Sequence, residues 1–278
     1  MAQTKILITV KTYPTLSEKY DELVCTAGFR EDGSWIRIYL VPFRKLDYEK
    51  QYRKWQWIEA DIIKNTKDFR PESYRFVDID KAFSLGERIG TENGWYERKN
   101  IALKNVHTDM EHLIAEAKDQ TKGTSLATLK PKVITDFVWE EVEREWDKKK
   151  IEAIRYNQND LFRQEAEKLF QIARKVPYEF SYKFTTDDGK ERKLMIEDWE
   201  LGQLYWNCLK KANGDESIAC RKVKQKFFDE FVTKKDLYFF VGTTKKFHNI
   251  GQNPFIIIGA FYPPKIESQL SLFRMRTG

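Results

Sequence analysis

The first hundred residues are divided into apolar runs too short to be helices and too regular to be loops. Lys5-Ile-Leu-Ile-Thr-Val10, Glu22-Leu-Val-Cys-Thr-Ala-Gly28 and Trp35-Ile-Arg-Ile-Tyr-Leu-Val41 are followed by Trp55-Gln-Trp-Ile-Glu-Ala-Asp-Ile-Ile63 and Ser73-Tyr-Arg-Phe-Val-Asp-Ile79. Their β-branched and aromatic content and near-alternation of apolar and polar positions predict about five strands. Glu31-Asp-Gly-Ser34 reads as a hairpin turn, because Gly33 takes positive φ without steric cost. So few short strands leave their edges exposed unless the sheet curls onto itself, which points to a small barrel.

From about Ile101 the period becomes helical, with Met110, Leu113, Ile114 and Ala117 spaced for one buried face. Residues 137–146 and 161–175 are expected as further helices, the second ended by Pro177. Strands then resume as a hairpin over 178–196 that turns at Asp187-Asp-Gly189. Helices over 199–211 and 216–233 lead to two very apolar strands, 237–241 and 255–262. Pro263 and Pro264 end the last strand, and the residues beyond them form a tail without periodicity.

Composition narrows the class. With 41% hydrophobic and 33% charged residues over 278 positions, the chain can bury a core, or two modest ones, beneath a strongly charged surface. The net charge of +6 leans toward polyanionic partners, and 14% aromatic content supplies flat surfaces for cores or for stacking. Cys25, Cys208 and Cys220 are too few and too scattered for a disulfide framework or a four-ligand zinc site. No signal-peptide pattern opens the chain and no run approaches the roughly 18 apolar residues of a membrane helix, so a cytoplasmic protein is expected.

Alternation in 35–41 sends Ile36 and Ile38 to one face and Trp35, Arg37 and Tyr39 to the other. An aromatic, Arg, aromatic row opposite a barrel core suits stacked bases and phosphates, and Arg44, Lys45, Trp55 and Trp57 extend it. A second candidate is the long loop 242–254, where Lys245, Lys246 and His248 are residue types that contact phosphate. The implied partner is DNA, single-stranded rather than duplex, or RNA.

Beyond the two prolines, Gln269-Leu270-Ser271-Leu272-Phe273 offers apolar anchors at fixed spacing behind a polar residue that can set register. It resembles, at every position, the pentapeptide by which bacterial polymerases and repair proteins bind the replication sliding clamp. The resemblance implies a clamp partner and a role in replication or repair. The strand order of the two β-rich parts is similar to that of paired oligonucleotide-binding (OB) barrels of prokaryotic proteins, some associated with mobile-element defence. That likeness implies an α+β chain with an OB-like domain over 1–105, a helical connection over 106–177, a second β-rich domain with helices over 178–265, and a flexible tail over 266–278.

Nothing in the sequence assembles a catalytic constellation, a metal site or a cofactor motif. His107 and His112 are five apart, where one-face zinc ligation on a helix uses four. Asp187, Asp188, Glu191 and Lys193 stand as the alternative, a metal-dependent nuclease or nucleotide-processing enzyme. A further alternative is a protein-interaction module whose aromatics meet other proteins.

Overall fold

The computed structural model describes residues 3–17, 21–78, 83–158 and 172–265. The pentapeptide 269–273 and most of the expected helix 161–175 lie outside the described residues.

The first eight strands are β1 (Thr4–Lys11), β2 (Thr15–Ser17), β3 (Asp21–Phe29), β4 (Trp35–Val41), β5 (Gln56–Ala60), β6 (Ile62–Lys64), β7 (Ser73–Phe76) and β8 (Phe83–Arg88). Only Asp61 separates β5 from β6, and its carbonyl accepts from the Val77 N–H at 2.9 Å, so 56–64 is one bent strand. One end of this run pairs with β1 and the other with β7. Because β1 also pairs with β3, β3 with β4, and β4 in parallel with β7, the sheet closes. Counting the bent run as one, the five strands adopt the order 1-2-3-5-4-1, with the third and fifth parallel, which is the OB topology. Ile6, Ile8, Val24, Ile36, Ile38 and Ile58 fill the interior, as the alternation predicts.

Helix α1 (Glu92–Ala102), strand β9 (Val106–His107) and helix α2 (Met110–Lys118) lead into the second half. Asp109 caps α2 by accepting from the His112 N–H at 3.0 Å, and Met110, Leu113 and Ala117 are its buried face. Then come β10 (Leu126–Leu129), β11 (Val133–Glu141), α3 (Lys148–Gln158), β12 (Tyr178–Thr185) and β13 (Glu191–Met195). Helices α4 (Trp199–Lys211) and α5 (Glu216–Lys224), a π-helical stretch (Gln225–Glu230) and α6 (Phe231–Lys234) precede β14 (Tyr238–Thr243) and β15 (Phe255–Phe261). Residues 137–141, expected as helix, are strand β11, which pairs along its whole length with β12. The stretch 106–177 thus holds helices α2 and α3 but also supplies β10 and β11 to the second sheet system.

That second system repeats the first. Strands β10 and β11 form one run bent at Pro131, and it pairs with β14 at one end and β12 at the other. Strand β12 pairs with β13, β14 with β15, and the ring closes where Ile196, just past β13, bridges Ile257 of β15 in parallel. The strand order is again 1-2-3-5-4-1. Here α4 to α6 fill the link between third and fourth strands and bury Leu201, Tyr205, Val223, Phe227 and Phe231 in the core. In the first barrel that link carries only two 3-10 turns, over Phe43–Lys45 and Tyr48–Lys50.

The barrels share an apolar seam. Leu7, Val10, Ala27 and Phe29 on the outer face of β1 and β3 meet Leu126, Phe240, Ile258 and Phe261. Phe240 lies at its centre, with ring centroids 5.8 Å from Phe29, 5.2 Å from Trp35 and 5.8 Å from Phe261. Beside it the Lys54 ammonium lies 2.9 Å from the Asp198 carboxylate, a nearly buried ion pair joining the two halves. Burial alone would lower the Lys54 pKa, but Asp198 and Glu200 raise it and hold the ammonium protonated. Among the described residues no helix is long and apolar enough to cross a membrane.

Candidate nucleic-acid interface

The row Trp35, Arg37, Tyr39 does leave the first barrel's interior, but it does not face solvent. Arg37 is 1% exposed and spans to the second half, where its guanidinium donates to Ser125 Oγ at 2.8 Å and to the Ser125 carbonyl at 3.1 Å. Ser125 in turn donates to Glu72 at 2.6 Å, which brings a carboxylate to the buried charge. Burial still pulls the Arg37 pKa below the usual arginine value. Trp35 packs on Phe29 and Phe240, and Trp55 is buried with the Arg98 guanidinium 4.8 Å from its ring centre. Arg44 and Lys45 pair with Glu22 and Asp21, both buried. Half-buried Trp57 lies under the Lys5 ammonium, and half-buried Tyr39 accepts from Asn65 through its carbonyl. Trp35, Arg37 and Trp55 therefore serve the seam, and the stacking platform expected on this face is covered by the second barrel.

The corresponding face of the second barrel is open. A groove of about 700 Å³ runs along β12 and β13, between α2 on one side and the start of β15 on the other. It exists because β13 and β15 touch through the Ile196–Ile257 bridge and then diverge. Lys118, Lys190, Arg192 and Lys193 line it, with Glu111 and Glu179. Arg192 is held by Asp188 at 2.8 Å and by Glu111 at 2.6 Å, whereas Lys190 and Lys193 are exposed partners in surface pairs. Such exposed pairs are worth only about 0–1 kcal/mol, so these cations can turn to a phosphate at little cost.

At one end the groove meets Gln252 and Asn253, in the loop 244–254 between the fourth and fifth strands. The matching loop of the first barrel, 65–72, lies against it. Lys245 Nζ donates to the Lys67 carbonyl at 2.6 Å, and the Phe69 and His248 rings lie 5.4 Å apart. Beneath them Arg70, clamped by Asp68 at 2.6 Å, donates to the Thr243 carbonyl, and Thr243 Oγ1 lies 2.8 Å from His248 Nδ1. His248 is buried, and burial lowers its pKa, with Arg70 adding to the shift. It braces the loop, while Lys245 and Lys246 remain exposed. Phe69 at 54% and Phe247 at 47% exposure add two aromatic faces among Lys67, Lys245 and Lys246. Lysines interleaved with exposed rings form a surface for phosphates and bases. Sequence reasoning missed Phe69 and Phe247, whose signal is a phenylalanine within two residues of a lysine in a polar loop.

The carboxylates considered for catalysis are engaged otherwise. Asp188 accepts from Arg192, from the Lys190 N–H at 2.9 Å and from the Glu111 N–H at 3.1 Å. Burial would raise its pKa, but these donors bring it well below the ordinary carboxylate value. Asp187 pairs with Lys132, Glu191 accepts from Thr135, and Lys193 meets Glu140. Among the described residues no group of three or more His, Cys, Asp or Glu side chains could hold a metal ion.

Fold and surface together define a protein of two OB-like barrels, with the outer face of strands two and three covered in the first and open in the second. The chain belongs to the family described as Domain of unknown function (DUF8757), which matches residues 106–276. A second family, Domain of unknown function (DUF8758), matches residues 2–104. Among curated proteins none matches. A solved murine DNA-binding protein bound to double-stranded DNA aligns over 96% of this chain and 98% of its own, at 8% identity and a TM-score of 0.30.

Proposed function

We propose that this protein binds nucleic acid without catalysis, holding a strand in the groove of its second barrel, and that its C-terminal pentapeptide tethers it to a bacterial sliding clamp. One observation carries the binding half: a lysine- and arginine-lined groove on the second and third strands reaches Gln252 and Asn253, in the same loop that carries Lys245, Lys246 and Phe247 and that contacts the Phe69 loop. Single-stranded DNA or RNA suits this surface better than duplex, because exposed rings need unpaired bases to stack on. The tether half rests on Gln269, Leu270, Ser271, Leu272 and Phe273, which match the clamp-binding pattern in full. A link that keeps the body near DNA raises its effective concentration, so a net charge of only +6 is enough. Replication, repair and mobile-element defence are the settings in which such a tether serves.

The binding half is tested by anisotropy titration of a labelled single-stranded oligonucleotide with the intact chain and with Lys190→Glu/Lys193→Glu. The double variant is expected to bind at least about tenfold more weakly near 0.1 M salt, with a shallower salt dependence. Equal affinities would refute it. For the tether, clamp retention should be lost on changing Leu272 and Phe273 to Ala, and equal retention by both chains would remove that half alone.

A further inference from the structure

Glu179 and Met195 of the groove also line a neighbouring cavity of about 350 Å³, to whose lining Tyr13, Trp146 and Tyr178 contribute. This volume is at the small end of ligand sites, large enough for one planar group and little more. Its walls are fixed in advance. The Tyr13 hydroxyl donates to the Arg174 carbonyl at 2.7 Å and accepts from Trp206 Nε1 at 2.8 Å. Trp146 Nε1 donates to the Ala173 carbonyl at 2.7 Å, and the Tyr178 hydroxyl donates to Glu216 at 2.8 Å. Their polar ends are committed, so the rings present apolar surface to the cavity. Gly202 makes room for one of them, since a Cβ there would come within 2.2 Å of the Tyr13 ring.

Among the described residues, three unbridged carboxylates line the cavity: Glu143, which is exposed, Glu179, which also lines the groove, and Glu197. Glu197 sits between the last residue of the barrel bridge and the cap of α4, and its N–H donates to the Ile257 carbonyl at 2.8 Å. Among the described residues nothing donates to its carboxylate. Burial, with the Glu179 carboxylate nearby, pushes its pKa up, which marks a group lacking a donor. Lys175 also lines the cavity, with its Nζ on the Glu145 carbonyl at 3.2 Å.

We infer that this cavity receives a single guanine from the bound strand, stacked among Trp146, Tyr178 and Tyr13, with its N1–H and N2–H donating to the Glu197 carboxylate and its phosphate near Lys175. The inference rests on the nucleic-acid reading above. Guanine is singled out by chemistry, because a carboxylate only accepts and guanine alone offers two adjacent donors on its pairing edge. Cytosine and adenine place an unprotonated ring nitrogen beside their amine, and thymine flanks its one N–H with carbonyls. Each would set a lone pair against a carboxylate oxygen. A cationic side chain of another protein could also enter an aromatic, acidic cavity, but adjacency to the lysine-lined groove and Lys175 favour a nucleotide.

The test uses the intact chain and a set of oligothymidine strands carrying one central dG, dA, dC or deoxyinosine. The dG strand should bind roughly tenfold or more tightly than all-dT, deoxyinosine should lose most of that gain because it lacks the N2 amine, and dA and dC should gain little. Glu197→Gln should remove the dG preference while leaving all-dT affinity and the melting temperature at neutral pH no lower than wild type. Binding of every strand with no dG preference would overturn this inference and leave the broader reading standing. Failure to bind any strand would end both. Saturable binding of arginine amide, abolished by Glu197→Gln, together with no dG preference would assign the cavity to a cationic side chain instead.

Discussion

The two barrels have the same strand order and use the same face in opposite ways. In the first, the outer surface of strands one to three is apolar where it meets its partner, and Arg37 and Trp35 are built into the contact. In the second, the seam falls on strands one, four and five, so the outer surface of strands two and three stays open. A topology therefore fixes where a face lies but not what it is for. That is decided by which residues a distant part of the chain brings against it, here Phe240 and Ser125.

The comparison breaks most sharply at Phe240. Truncation to Ala removes a ring that is 1% exposed and touches both halves, and should cost about 3–5 kcal/mol in denaturant unfolding. If the barrels are one cooperative unit, the single transition should shift as a whole. A second transition appearing in its place would mean that they unfold independently.

A smaller effect is expected at Asp68, which clamps Arg70 beneath the two loops. Asp68→Asn leaves a buried guanidinium near Arg37 without its counter-charge and should cost about 3 kcal/mol. Burial would raise the Asp68 pKa, yet bonds from Arg70 and Ser73 bring it down to about 2. Its folded value is thus below the unfolded one, so its contribution is present above about pH 4 and fades as the pH falls through about 2. Urea melts of wild type and Asp68→Asn should converge over that window, and a difference that persists at the acid end would place the effect elsewhere.

The smallest expected effect sharpens the comparison from the open side. Phe69→Ala with Phe247→Ala should weaken single-strand binding by about 2 kcal/mol, the order of one or two stacked bases, with little change in melting temperature. Trp35→Ala should do the reverse, lowering the melting temperature while the folded fraction binds as before.

Much of this architecture was legible from residue periodicity. The strand expected over 55–63, the alternation of 35–41 and the turn at Gly189 are local signals, and the structure has all three, the first as β5 and β6 with a bend at Asp61 that periodicity does not encode. Residues 137–141 misled because Glu and Arg around Val138 and Trp139 resemble an exposed helix, and only pairing with β12 makes them a strand. Alternation showed that Trp35, Arg37 and Tyr39 leave the barrel interior, but not that Ser125 and Phe240, far along the chain, would cover two of them. At the open site Lys245 and Lys246 were readable as a basic loop. The groove was not, because it arises from two strands parting after a single bridge, and no residue pattern encodes a gap.

The Phe240 seam also bears on valency. Two OB modules on a slack linker could each seize a segment of strand and multiply their affinities. Here the seam, with Arg37 on one flank and Lys54–Asp198 on the other, leaves no slack to adjust. Under the proposed function the molecule should behave as a monovalent gripper of fixed shape, with an occluded length of one barrel, roughly 4–16 nucleotides, that does not stretch as strands lengthen.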